Sequence, residues 1–70
     1  MNAIGPQVKR LREKNGMTQE KLTARCNLNG WGISRGTLAK IESQVRRVTD
    51  LEVALIAEAL EVEIPELYEE

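Results

Sequence analysis

The chain has 70 residues, a single cysteine and no histidine, which suits one small domain near the lower limit for a core without staples and excludes a disulfide framework or a Cys/His zinc site within it. No apolar run approaches the roughly 18 residues that span a bilayer, and the first residues lack the basic flank and hydrophobic stretch of a secretory signal, so the expected compartment is the cytoplasm. The net charge of -1 hides a segregation: residues 1–48 hold all ten Lys and Arg against three Glu, a balance of +7, whereas residues 49–70 hold eight Asp and Glu and no base, a balance of -8. Such polarity points to one face turned toward a polyanion and another turned away.

Ile4, Val8 and Leu11 mark one face of a first helix over residues 4–15, with Pro6 in the opening turn, where its missing N–H costs nothing, and Asn15 and Gly16 closing it. Arg12 lies at the edge of that apolar stripe, away from the solvent side that carries Lys9, Arg10 and Glu13. Thr18 caps a second helix over residues 18–26, where Met17 and Leu22 form a hydrophobic staple and Leu22 and Cys26 face inward. Cys26 reads as core filler. Gln19 falls in the first turn, where unpaired N–H groups and the positive end of the helix dipole suit a phosphate oxygen. Residues 27–32 read as an irregular loop rich in Gly and Asn. Its Trp31 is expected to pack over the domain, although a single exposed loop aromatic would also serve as a binding anchor.

Residues 34–45 read as a third helix with two opposed faces. Ser34 is its N-cap, Ile33 and Leu38 its staple, and Leu38, Ile41 and Val45 its buried stripe, which puts Gly36, Lys40, Ser43 and Arg47 on the outside. A narrow basic helix without bulky outer groups fits a major groove about 12 Å wide, whose guanine edges accept from Arg or Lys. Glu42 sits at the edge of this stripe as Arg12 does on the first, which predicts a partly buried ion pair that orients the helix. Thr49 and Glu52 form a capping box, stapled by Val48 and Val53, for a fourth helix over residues 50–60 that is apolar on most sides and so central to the core or half in an interface. Residues 64–68 would make one last turn, burying Ile64 and Leu67. No strand pattern occurs, and the expected class is all-α.

The order of these elements resembles the phage-repressor or Cro type of helix-turn-helix domain, the XRE-like and lambda-repressor-like group. The resemblance rests on Gly5 and Leu11-Arg12 in the first helix, Met17 through Leu22 opening the second, Ile33-Ser34-Arg35 through Ile41-Glu42 in the third and Ile56 through Leu60 in the fourth. It implies a compact five-helix domain over residues 1–70 in which helices two and three bind DNA. It further implies that Gln19 grips a phosphate, that Arg35, Gly36 and Lys40 face bases, and that Ser43, Arg46 and Arg47 contact the backbone. The Arg12 and Glu42 pair also matches a family feature. Two departures stand out: the 27–32 connection is longer than the family's tight turn, and Gly36 replaces the usual polar reader.

The expected function is therefore sequence-specific binding of double-stranded DNA by a transcriptional regulator, a repressor, with no catalytic activity, cofactor, metal or membrane partner. Phosphate contacts fall to Gln19, Lys21, Ser43, Arg46 and Arg47, and discrimination to Arg35, Thr37 and Lys40, with Ser34 opening the same surface. A homodimer is expected, because one module buries only about 600 to 1,000 Å² on DNA, with Leu67 and Tyr68 at the dimer face. The alternative is a protein-interaction module of the same fold that docks through Trp31 and its loop. Without His, a second Cys or a phosphate-cradling Gly loop, no acid, base and nucleophile set assembles.

Overall fold

The computed structural model describes residues 2–69. It contains four α-helices, α1 (Gly5–Lys14), α2 (Gln19–Leu28), α3 (Arg35–Glu42) and α4 (Asp50–Leu60), followed by a 3-10 helix at Ile64–Tyr68. No strand occurs among the described residues. Hydroxyl side chains set where three of the helices begin: Thr18, Ser34 and Thr49 each have extended backbone and accept the N–H of Lys21, Thr37 and Glu52, respectively. Thr49 and Glu52 complete a reciprocal capping box, so two of the donors that a helix start leaves unpaired are satisfied at once.

The core is one cluster drawn from every helix. Its largest fully buried side chains are Ile4, Val8, Leu22, Cys26, Leu38, Ile41, Ile56, Leu60 and Leu67. Helix α3 packs on α1 and α2, and α4 packs on α2, α1 and the 3-10 helix. Gly5 is what lets α1 begin directly against the end of α3, since a Cβ there would run into the carbonyl oxygen of Ile41 and come within 2.9 Å of that of Glu42. Gly16, at a φ of 70°, lets the chain leave α1 in the left-handed conformation that glycine adopts without a Cβ clash. Trp31 is half-buried and packs against the core cluster.

Two helix ends differ by two residues or more from those expected. Helix α2 runs on to Leu28 and its connection to α3 spans residues 29–34, not 27–32. Asn27 stays helical and ties the connection down, its amide donating to the carbonyls of Thr23 and Ile33. Gly30, at a φ of 90°, makes the turn instead. Helix α3 ends at Glu42 rather than at residue 45, because Gln44 takes the left-handed conformation (φ 68°) and the N–H groups of Val45 and Arg46 both fold back onto the Lys40 carbonyl. Val45 consequently leaves the buried stripe and is 73% exposed. At the far end, Ile64 stays 43% exposed while Leu67 is fully buried. Leu67 is a core residue, and its expected place at a dimer face is corrected: only Tyr68 of that pair presents surface.

Candidate nucleic-acid interface

The surface formed by the starts of α2 and α3 is built on one buried charge pair. Arg12 and Glu42 are each 6% exposed, and the Arg12 guanidinium donates Nε–H to Glu42 Oε2 at 2.7 Å and Nη2–H to Oε1 at 3.1 Å. Its Nη1 donates to the carbonyl of Met17 at 2.8 Å, just ahead of α2. One guanidinium on α1 thereby links the approach to α2 with the last residue of α3. The carboxylate bond holds the Arg12 pKa above its ordinary value despite the opposing effect of burial. Every buried side-chain polar atom among the described residues has a hydrogen-bond partner, as a buried pair must if it is not to cost more than its attraction returns.

The pair is extended outward by Gln19. Its Nε2 donates to Glu42 Oε1 at 3.0 Å, and its Oε1 accepts from Arg35 Nη1 at 3.0 Å. A continuous chain, Arg12 to Glu42 to Gln19 to Arg35, thus runs from the core to the first residue of α3. One of the two N–H groups of the Gln19 amide is given to Glu42, which leaves one N–H of this amide for a ligand at the head of α2. The first-turn backbone N–H groups of Gln19 and Glu20 lack intrahelical partners by the geometry of any helix start, and they add to the donors that this end of α2 offers to an anion.

Along α3, Arg35, Gly36, Lys40 and, at its C-cap, Ser43 are exposed. A Cβ on Gly36 would meet nothing nearer than Ser34 Oγ at 3.7 Å. Thr37 is half-buried, and its hydroxyl shares a 3.1 Å hydrogen bond with Ser34 Oγ, the oxygen that caps the helix. Lys21 is exposed on α2, with its backbone N–H taken by Thr18. After α3, Arg47 is exposed, whereas Arg46 is gripped in a fork by Glu52, with both bonds at 3.0 Å. That carboxylate raises the Arg46 pKa, and the same bond lowers the Glu52 pKa. Arg46 therefore serves as a strut between the α3–α4 connection and α4, and its charge is already partly answered.

Two residues join this surface that sequence patterning did not single out. Lys9 lines a cleft of about 190 Å³ with Gln19, Ala39, Glu42 and Ser43. Lys9 lies on the exposed side of α1 one turn before Arg12, which was the available signal. Asn2 bridges α1 and α3; its bonds to the N–H groups two and three residues on are of the local kind an Asn ahead of a helix signals, whereas its bonds to α3 and beyond are not. Away from this surface, Cys26 is fully buried, and burial pushes its thiol pKa up. Among the described residues no three His, Cys, Asp or Glu side chains are grouped to hold a metal ion, and no helix is long and apolar enough to cross a membrane.

Two capped helices joined by a six-residue connection, the second presenting an exposed basic side and held at its end by a buried ion pair, define a helix-turn-helix domain. The helix-turn-helix family model HTH_3 matches residues 8–67. The chain belongs to this XRE-like family of DNA-binding transcription regulators. No curated protein and no solved structure matches it.

Proposed function

We propose that the chain is a sequence-specific DNA-binding repressor that places α3 in the major groove and occupies its site as a homodimer. The observation that carries this reading is the ordered chain from Arg12 through Glu42 and Gln19 to Arg35. It holds a base-reading side chain in place before DNA arrives, so less side-chain freedom is lost on binding. Arg35 and Lys40 read bases, and Gly36 leaves room for the helix to approach the groove closely. Lys9, Lys21, Ser43, Arg47 and the first turn of α2 at Gln19 contact phosphates, while Arg46 holds the α3–α4 connection. Repression follows from occupancy alone, which requires no surface beyond the DNA face.

The second copy supplies the affinity that one module lacks. With Leu67 buried, the exposed large apolar side chains are Leu28, Val45, Leu51, Ile64 and Tyr68, and the dimer face is assigned to the last three, which lie on α4 and the 3-10 helix in the acidic part of the chain. The two recognition helices then sit about 34 Å apart, one turn of the duplex. The test is fluorescence anisotropy against a randomised duplex pool and against the sequence selected from it, at several salt concentrations, with the mass of the complex measured by sedimentation. Steep salt dependence, preference for a two-fold symmetric sequence and two chains per site are expected. Affinity that does not change with salt removes DNA as the partner. One chain on a non-palindromic site removes the dimer.

A further inference from the structure

The side chain of Asn2 makes four hydrogen bonds to two separate parts of the fold. Its Oδ1 accepts the N–H groups of Ile4, at 3.1 Å, and Gly5, at 2.6 Å, capping the start of α1. Its Nδ2 donates to the carbonyl of Ile41 in the last turn of α3, at 3.0 Å, and to that of Arg46 in the connection beyond it, at 2.8 Å. The Asn2 carbonyl accepts a fifth bond, from Gln44 Nε2 at 2.8 Å. One amide thus spends its full capacity, two donors and two acceptor sites, on joining the first helix to the segment that follows the third.

Gln44 gives an independent reason to regard this as a built device. It occupies a left-handed conformation at φ 68°, which is strained for a residue with a Cβ and costs glycine almost nothing. A Gln here is explained by what its side chain does, which is to bond the Asn2 carbonyl and close the clasp from the other side. Gly5 leaves no slack beneath it, since a Cβ there would also stand 3.0 Å from Gln44 Cγ.

We propose that Asn2, locked by Gln44, is a positioning residue of the DNA interface. It holds residues 43–47 in the one path that lets Ser43 and Arg47 reach phosphates together while Arg46 remains paired with Glu52. The proposal rests on the DNA-binding reading above, and it adds a residue remote from the base-reading side of α3. Without the clasp the α3–α4 connection keeps its sequence and charge but samples several paths, so the phosphates on that side are neutralised less completely.

The conservative variant is Asn2→Asp. It keeps the oxygen that caps α1 and replaces the donating amide with a carboxylate facing two carbonyls. A second variant, Gln44→Gly, removes the other half of the clasp at a position that glycine occupies without strain, so it folds even if the first does not. Both are compared with the parent chain in salt titrations of DNA affinity and in thermal melts. Each phosphate that a Lys or Arg no longer neutralises lowers the slope of log K against log salt by about 0.9, and Arg47 is the one unpaired cation among the described residues whose path the clasp sets, so a drop of up to about 0.9 per subunit is expected in either variant, in protein that still melts cooperatively above the assay temperature. A parental slope retained by folded variants overturns the proposal and leaves the clasp a purely structural tie. A parent that shows no salt-dependent DNA binding overturns the proposal together with the reading beneath it, and the two failures are told apart by that first measurement.

Discussion

Arg12→Ala removes a guanidinium that is 6% exposed and makes three hydrogen bonds, two to Glu42 and one to the Met17 carbonyl. What remains is the Glu42 carboxylate, equally buried, with the Gln19 amide as its surviving side-chain donor. Stranding a buried charge in this way costs about 3 to 5 kcal/mol. A domain of this size has a total stability of only about 4 to 10 kcal/mol. With a urea m-value of about 1 to 1.5 kcal/mol/M for a small chain, the unfolding midpoint should fall by about 2 to 5 M. Glu42→Leu alone should be comparably costly, because it leaves the guanidinium unpaired. The double variant Arg12→Met with Glu42→Leu replaces both charges with apolar groups of similar bulk and should cost far less than the sum, since such exchanges of a buried pair are often close to neutral. The assay is equilibrium urea unfolding followed by circular dichroism on the parent, Arg12→Met, Glu42→Leu and the double variant, read as a double-mutant cycle, with Arg12→Ala measured beside them. Strictly additive losses would refute the reasoning, because they would mean that neither charge depends on the other for its place in the core. The double variant also separates stability from recognition: it should fold, yet lose sequence preference, because Gln19 no longer has the carboxylate that orients it toward Arg35.

The two helical glycines should respond in opposite directions to the same change: Gly5→Ala drives a Cβ into the carbonyls of Ile41 and Glu42 and should lower the melting temperature sharply, whereas Gly36→Ala makes only an ordinary contact with Ser34 Oγ and should add up to about 1 kcal/mol from helix propensity alone. Thermal melts of the two variants compare them directly. The Glu52 carboxyl is held below its ordinary value chiefly by Arg46, so its contribution to stability is fully present above the unfolded carboxyl pKa of about 4.3 and is lost as pH falls through the lower folded value. Glu52→Gln keeps the capping box and should flatten the acid limb of stability against pH by no more than about 1 kcal/mol, because Arg46 is more than a third exposed and solvent screens the pair; an unchanged acid limb would show that the pair contributes nothing. Lys40→Ala should cost about 1 to 3 kcal/mol of discrimination between selected and random duplexes, and equal losses on both would make Lys40 another phosphate contact.

Much of this domain was legible locally. The caps at Thr18, Ser34 and Thr49 are read from a hydroxyl followed by an apolar period, because the bond each makes spans only three residues and needs no tertiary partner. The positions of Arg12 and Glu42 at the margins of their stripes carried the buried pair, because helical periodicity alone puts a residue at the boundary between core and solvent. What periodicity cannot carry is where a helix stops. Val45 continued the stripe of α3 in the sequence, yet Gln44 turns the chain left-handed and leaves Val45 in water, a choice supported by a bond to Asn2 forty-two residues away. Leu67 and Tyr68 are neighbours of similar apolar character, and only the packing of the 3-10 helix on α4 and α1 decided that one fills the core while the other meets solvent. The same holds for Gln19 and Arg46: the sequence marked each as a donor for phosphate, and the tertiary structure gave each a carboxylate first, Glu42 for one and Glu52 for the other. The division is one of range, since contacts within a turn or two are written in residue order, while a side chain whose partner lies on another helix acquires its role only when the helices have packed.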